Sequence, residues 1–458
     1  MILKKFGTIS SILLFLTAIG LRLFVSQSIT PIISGLIMVI FLILLVCEVL
    51  PIALVCIFVL GIMPILGVTP DFNSALTGFS NPVVFFILSS FGIASAIMKV
   101  PISKRILKFL LLKFGKNSKQ LVMVFMISCA LVSSIMSNVP SCAIFIAITS
   151  ELLNLLPEID RKKTGKTFMI GIPVASMIGG IMTPAGSSIN LLALSILKSN
   201  TEVDVSFIKW MAIGVPIVLI ILPIAWFIII KVFPPTEIEK DKITKFGKDM
   251  NIPERLLPEE KRTLFIFGII FSFWIASSWI SSINIMVVSL IGCGIFCMPR
   301  IGVISVKNFL AEINWDTIFL VGTVLSLASV LCINGATNRI IEFFPSFGQS
   351  LFFILIGIAL LTFILLIIIP VAPSLVAIIT PVIIYVSIEA NVNPALTVMI
   401  CAMCAGNCYL LPIDTVCLIS YSKGYYKMFE MPKATAAIQL SFVLISSILI
   451  YIIGGIIG

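Results

Sequence analysis

The sequence predicts an all-α polytopic membrane protein of about 11 transmembrane helices and two re-entrant hairpins, arranged in inverted-topology repeats. Three observations carry this expectation. Of 458 residues, 60% are hydrophobic and only 11% charged, with mean hydropathy +1.22, whereas soluble domains are about a quarter charged. Apolar stretches approaching the about 20 residues of a bilayer span recur at 6–24, 31–47, 52–67, 83–98, 210–230, 264–281, 317–333 and 434–457. The other apolar segments are interrupted by Pro, Gly, Ser and Asn, at positions that repeat along the chain.

The first stretch is nearly full span length, lacks a small-residue cleavage pattern and is followed at once by another span. It reads as a retained helix, not a signal peptide. Lys4 and Lys5 precede it, and the segment Lys99 to Lys119 carries Lys99, Lys104, Arg105, Lys108, Lys113, Lys116 and Lys119 with no acidic residue. Four spans lie between, so both positive segments fall on one side, which the positive-inside rule makes the cytoplasm. The chain is therefore expected to be multi-pass in the cell membrane, with its N-terminus cytoplasmic and its C-terminus external. Segment 99–119 itself reads as an interfacial helix.

The net charge of +10 does not indicate nucleic acid, because the basic residues sit in short segments between apolar runs. The 11 cysteines are scattered, mostly within apolar segments. Cys401, Cys404 and Cys408 share roughly one helix face, but the chain has no histidine, and packing explains them better than a metal site.

Residues 231–262 hold eight basic and seven acidic residues with Pro234, Pro235, Pro253 and Pro258, the composition of a linker between two halves. An offset of 233 residues places Asn81 on Asn314, Phe86 on Phe319, Ala96 on Ser329, and Pro140-Ser141 on Pro373-Ser374. The stretch matching the basic 99–119 segment carries only Arg339 and Glu342, as a second copy inserted upside down would. The expected organisation is an N-terminal helix at 1–28, a first repeat at 29–231, a cytoplasmic linker at 232–263 and an inverted second repeat at 264–458.

Irregular backbone at membrane depth costs several kcal/mol per unsatisfied group unless it lines a cavity or is buried in protein, so each interruption is a candidate site. Ser137-Asn138-Val139-Pro140-Ser141 lies between apolar stretches that enter from and return to a basic side, which marks 137–141 as a hairpin tip. Its counterpart is 370–374, Pro370-Val371-Ala372-Pro373-Ser374. Broken helices are expected at 183–190, around Thr183-Pro184-Ala185-Gly186, and at 411–418, around Leu411-Pro412-Ile413-Asp414. Two tips and two broken helices are the parts of a midplane carrier site.

Gly78-Phe79-Ser80-Asn81-Pro82, the Ser137-Asn138 tip, Gly179-Gly180 ahead of Thr183-Pro184-Ala185-Gly186, Trp315 and Leu411-Pro412 resemble the divalent anion/sodium symporter family, from about residue 30 to the end. The resemblance implies a homodimeric secondary transporter that couples sodium to a dicarboxylate, citrate or sulfate, with no organic cofactor. It assigns a sodium site to Ser133, Ser137, Asn138 and Gly186, oxygen donors that suit a hard cation. It places Asn138, Val139, Ser141, Pro373, Ser374 and Thr415 around the small anionic solute, and the expected partners are that solute, the lipid bilayer and a second copy of the chain, with no nucleic acid. The family's Ser-Asn-Thr tips are altered, with Val139 for the first threonine and Pro370-Val371-Ala372 for the whole second tip.

Asp414 stands at the family's small-residue position in the second broken helix. A carboxylate at membrane depth is a functional candidate, here as a sodium ligand or a protonation site. Unscreened, it would repel an anion by about 4 kcal/mol at 4 Å and an effective dielectric of 20. Two polar points closed by broken helices disfavour a channel. An intramembrane enzyme is disfavoured by the lack of histidine, of an HExxH motif and of paired aspartates in helical segments. The nearest rival reading is a proton-coupled antiporter or oxyanion exporter of the same superfamily.

Overall fold

The computed structural model describes residues 2–24, 30–47, 49–201, 203–250, 252–280, 282–335, 350–368 and 371–457. Among these the chain is 79% helical, with 21 α-helices and no strand. The early helices are α1 (Ile2–Phe24), α2 (Thr30–Val46), α3 (Ile52–Ile65), the single turn α4 (Phe72–Ala75), α5 (Pro82–Lys99) and α6 (Ile102–Phe114). Then come α7 (Ser118–Met136), α8 (Asn138–Leu153), α9 (Glu158–Gly179), α10 (Ser188–Asn200), α11 (Phe207–Val232) and α12 (Lys240–Asp249). The later helices are α13 (Pro258–Ala276), α14 (Ile285–Cys297), α15 (Val306–Glu312), α16 (Trp315–Ile333), α17 (Leu351–Ile368), α18 (Ala372–Glu389), α19 (Pro394–Ala405), α20 (Thr415–Tyr421) and α21 (Pro432–Ile457).

The eight apolar stretches all fold as helices within a few residues of the expected bounds. Five described helices are long and apolar enough to cross a bilayer alone, and the pair α15–α16, bent by 64°, makes a sixth. Seven further apolar helices are shorter, at 10–17 residues. Helix starts follow local chemistry. Asn81, Asn117, Ser206, Asn284 and Asn393 each accept a backbone N–H of the first turn with the side chain, and Pro82, Pro258 and Pro394 occupy the first turn, where no donor is lost.

The repeat is visible in these boundaries. Helices α3, α5 and α7 begin at Ile52, Pro82 and Ser118, and α14, α16 and α17 begin 233 residues later at Ile285, Trp315 and Leu351. Asn81 and Asn314 start equivalent helices and play the same part, accepting from Val83 N at 3.0 Å and from Thr317 N at 3.1 Å. Contacts between the halves are reciprocal. Helix α3 packs on α16 while α5 packs on α14, and α10 packs on α18 and α19 while α20 packs on α8 and α9. Each contact is answered by its equivalent with the halves exchanged, as about a two-fold axis.

Lipid supplies little hydrophobic drive between helices, so close approach and hydrogen bonds hold such bundles. Gly179 of α9 lies against the Ala130 backbone of α7, and Gly78 against the Gly322 carbonyl of α16, so that a methyl at either position would overlap backbone. One end of the molecule gathers most of the charge. There the 231–262 segment, which contains α12 and the start of α13, donates from Ile238 N to Ser118 Oγ at 2.7 Å and from Thr236 N to Thr164 Oγ1 at 3.1 Å. Arg105 of α6 grips Glu260 through two hydrogen bonds.

Candidate functional site

Helices α7 and α8 form a hairpin whose turn is one residue long. Ser137 has φ +78° and ψ +155°, a region nearly confined to glycine and costing a serine about 1–3 kcal/mol. The tip is therefore tighter than 137–141. Asn138 already begins α8, because one residue in this conformation reverses the chain without a loop. Ser141 is in the first turn and donates back to Ser137 O at 2.8 Å.

Under this turn lies a closed set of oxygens. Ser133 Oγ donates to Asn138 Oδ1 at 2.9 Å and lies 2.7 Å from Ser176 O, while Ser176 Oγ donates to Asn138 O at 2.7 Å. All three side chains are buried. Ser176 escaped sequence reading because a lone serine in an apolar helix resembles a packing residue.

Helix α9 ends at Gly179, and the break runs through 180–187 before Ser188 opens α10. The break thus starts three residues ahead of the expected 183–190, at the glycine pair and not at Pro184. Thr183 Oγ1 donates to Ser134 O at 2.6 Å, and Asn190 Nδ2 donates to Gly180 O at 2.9 Å and Thr183 O at 3.2 Å. Asn190 Oδ1 is buried with no donor. A methyl on Gly180 would overlap Asn138 Oδ1, and one on Gly186 would lie 2.6 Å from Gly180 O and 3.1 Å from Ser134 O. Glycine is required at both, since Gly180 closes directly onto the Asn138 amide and Gly186 onto the Gly180 and Ser134 carbonyls. Trp210 of α11 is fully buried and donates to Ile181 O at 2.8 Å, supporting the break from behind.

The second break spans 406–414, earlier than 411–418, because Gly406 ends α19 and Asp414 caps a new helix. Asp414 is half-buried, and its Oδ1 accepts from Val416 N at 2.8 Å. Helix α20 returns to the first hairpin. Cys142 Sγ, one turn beyond Asn138, lies 3.5 Å from Val416 O, and Cys417 Sγ lies 3.9 Å from Met177 Sδ of α9. Asn407 Oδ1 and Gln439 Oε1 are buried without donors beside this break, where Gln439 Nε2 donates to Asn407 O at 2.9 Å.

The structure therefore brings Ser133, Ser137, Asn138 and Gly186 into one cluster, with Ser176, Ser134, Gly180, Thr183 and Asn190 added, and sets Asp414 and exposed Thr415 at the start of α20, which packs on α8 and α9. Val139 is 39% exposed on α8. Pro373 and Ser374 lie in the first turn of α18, and Ser374 Oγ is buried without a partner among the described residues. Pro370, the first residue of the expected second tip, lies outside the described residues, as do Arg339 and Glu342. Among the described residues no group of three His, Cys, Asp or Glu side chains is placed to hold a metal, and Cys401, Cys404 and Cys408 are buried. The Asn138 cluster is of another kind, neutral oxygens only, which fits a hard monovalent cation.

A bundle of apolar helices with two breaks and an enclosed polar cluster defines a multi-pass membrane transporter. Residues 42–374 match the family described as citrate transporter, and the chain belongs to that family. It is 28% identical over 411 residues to an uncharacterized transporter of Haemophilus influenzae, covering 84% of each chain. It is 24% identical over 409 residues to the sodium-dependent dicarboxylate transporter SdcS of Staphylococcus saprophyticus, covering 80% of this chain and 75% of that one. The YdaH transporter of Alcanivorax borkumensis aligns with a TM-score of 0.49 at 13% identity, over 83% of this chain and 86% of that one. The family and these relatives are transporters, not enzymes.

Proposed function

We propose that the chain takes up a small anion of the dicarboxylate, citrate or sulfate class together with sodium, by alternating access. The carrying observation is the buried oxygen cluster of Ser133, Asn138 and Ser176 at a strained hairpin turn. Ser133, Ser137, Asn138 and Gly186 would hold sodium. The anion would lie beside it against the N-termini of α8 and α18, whose dipoles favour negative charge, with Val139, Ser141, Pro373, Ser374 and Thr415 around it. The names of the family and of the sodium-dependent relative support the solute class and the ion.

The halves are read as an inverted pair about an axis in the membrane plane, each hairpin re-entrant from its own side. The 233-residue spacing of helix starts, the reciprocal contacts and the one-ended charge support this. In this reading the charged end is cytoplasmic, as is the N-terminus, while the C-terminus is external. The working assembly is a homodimer, which mass measurement in detergent tests.

The test of coupling is uptake of labelled citrate, succinate and sulfate into proteoliposomes under an inward sodium gradient. At least one anion should accumulate and should cease to do so when potassium replaces sodium. Equal uptake of every anion with and without sodium removes the proposal. Asp414 favours one second reading, proton-coupled exchange, because a half-buried carboxylate caps the helix that packs on α8 and α9 beside the cation cluster. Accumulation driven by a pH gradient alone would select it.

A further inference from the structure

At the charged end, the first turns of α9 and the segment 423–430 that follows α20 border an open cavity of about 780 Å³. Arg161, Lys162, Lys163, Lys166, Lys423 and Lys427 line it against only two carboxylates, Glu158 and Glu430. The walls are fixed. Lys166 Nζ pairs with Glu430 Oε1 at 2.5 Å and lies over the Phe233 ring, and Glu430 Oε2 also accepts Lys427 N at 2.7 Å. Arg161 is spent on the carbonyls of Leu153, Asn154 and Leu156, and Lys162 is paired with Glu158. That leaves Lys163, Lys423 and the Lys427 ammonium without a carboxylate partner among the described residues, in a cavity into which the 22-residue α9 directs its positive N-terminal end.

Apolar side chains flank this basic hollow. Ile159 is 75% exposed, Phe429 76% and Leu155 58%, each next in sequence to lining residues or to the α8 end that Arg161 caps. Basic hollows at helix ends, bordered by exposed apolar groups and by tyrosines such as Tyr425, sit at the depth where headgroup meets acyl chain. A free anion would gain nothing from Ile159 and Phe429. An anionic lipid uses both parts.

We propose that this cavity is a binding site for the headgroup of an anionic phospholipid, with Lys163, Lys423 and Lys427 on the phosphate and the acyl chains over Ile159 and Phe429. Such a lipid bridges the first half, through α9, to the second half, through the segment after α20. The site is separate from the Asn138 cluster and does not depend on the identity of the transported solute.

The test uses the full-length protein in neutral detergent, titrated with phosphatidylglycerol, with phosphatidylcholine or with inorganic phosphate, following thermal unfolding. Phosphatidylglycerol should raise the midpoint and phosphatidylcholine should not. Each of Lys163→Gln, Lys423→Gln and Lys427→Gln should weaken the apparent lipid affinity about fivefold, while Lys116→Gln, outside the cavity, should leave it unchanged. A shift equal for both lipids, a shift retained in the triple variant, or one reproduced by inorganic phosphate alone overturns the proposal.

Discussion

The Ser133 hydroxyl donates to the Asn138 amide oxygen at 2.9 Å from within the helix that precedes the hairpin turn. This bond spans the one residue, Ser137, at which the chain reverses, so the position of the Asn138 oxygen and the shape of the turn are set together. Asn138→Ala removes the acceptor shared by the cluster. Sodium should then no longer raise the unfolding midpoint, and uptake should fall about ten- to hundredfold. Sodium-dependent protection equal to that of the parent protein would sink the assignment.

Gly180 tests the same oxygen from the other side. A methyl there meets Asn138 Oδ1, whereas Gly268 has open space around it. Gly180→Ala should cost about 1–3 kcal/mol and lower sodium affinity, and Gly268→Ala should do neither. Thermal unfolding with and without sodium separates the two variants.

Ser137 holds its conformation against its own preference. Ser137→Gly should relieve about 1 kcal/mol of strain and raise the unfolding midpoint. The loosened turn should reduce transport. A lowered midpoint would mean that the serine side chain outweighs the strain.

Asp414 caps α20 and carries charge, and the two roles are separable. Asparagine is as good a cap as aspartate, while alanine loses about 1 kcal/mol. Asp414→Asn should therefore keep the fold and alter coupling to sodium or to pH, whereas Asp414→Ala should also lower stability. Uptake under separate sodium and pH gradients reads the charge role, and unchanged coupling of Asp414→Asn to both ions ends it.

Arg105 and Glu260 tie α6 to the start of α13. The Glu260 side chain is fully buried, and its carboxyl lies below the usual range because Arg105 donates to it, aided by Leu257 N. A depressed folded value means that the pair stabilises above the unfolded carboxyl range near 4.5. That stability is lost as pH falls through the lower folded value. Arg105→Gln leaves a buried carboxylate unpaired, so it should cost about 3 kcal/mol at pH 7 and much less in strong acid. Unfolding midpoints between pH 3 and pH 7 measure the difference.

Much of the architecture was legible in the residues. Hydropathy located eight of the apolar helices, and Asn81 with Asn314 gave the repeat spacing that the helix starts keep. The boundaries of the breaks were less legible, because proline marks a break but glycine ends the helix ahead of it. Gly180 and Gly406 stop α9 and α19 three to five residues before the expected segments. Ser176 and Asn190 were hidden for a different reason. Their roles depend on which backbone passes them in space, Asn138 in one case and Gly180 in the other, and no local pattern records that. Arg105 and Glu260, 155 residues apart, are equally silent in the sequence.

The exchange of half-helices between the two repeats has a consequence for biosynthesis. The first hairpin leaves the ribosome early, yet Cys142 meets Val416 across 274 residues of chain. Its flank stays bare until α20 has been synthesised, and α10 likewise waits for α18 and α19. Neither repeat can therefore mature as a separate folding unit. A nascent chain halted in the linker would present two unfinished surfaces in the bilayer, which is where quality control would find it.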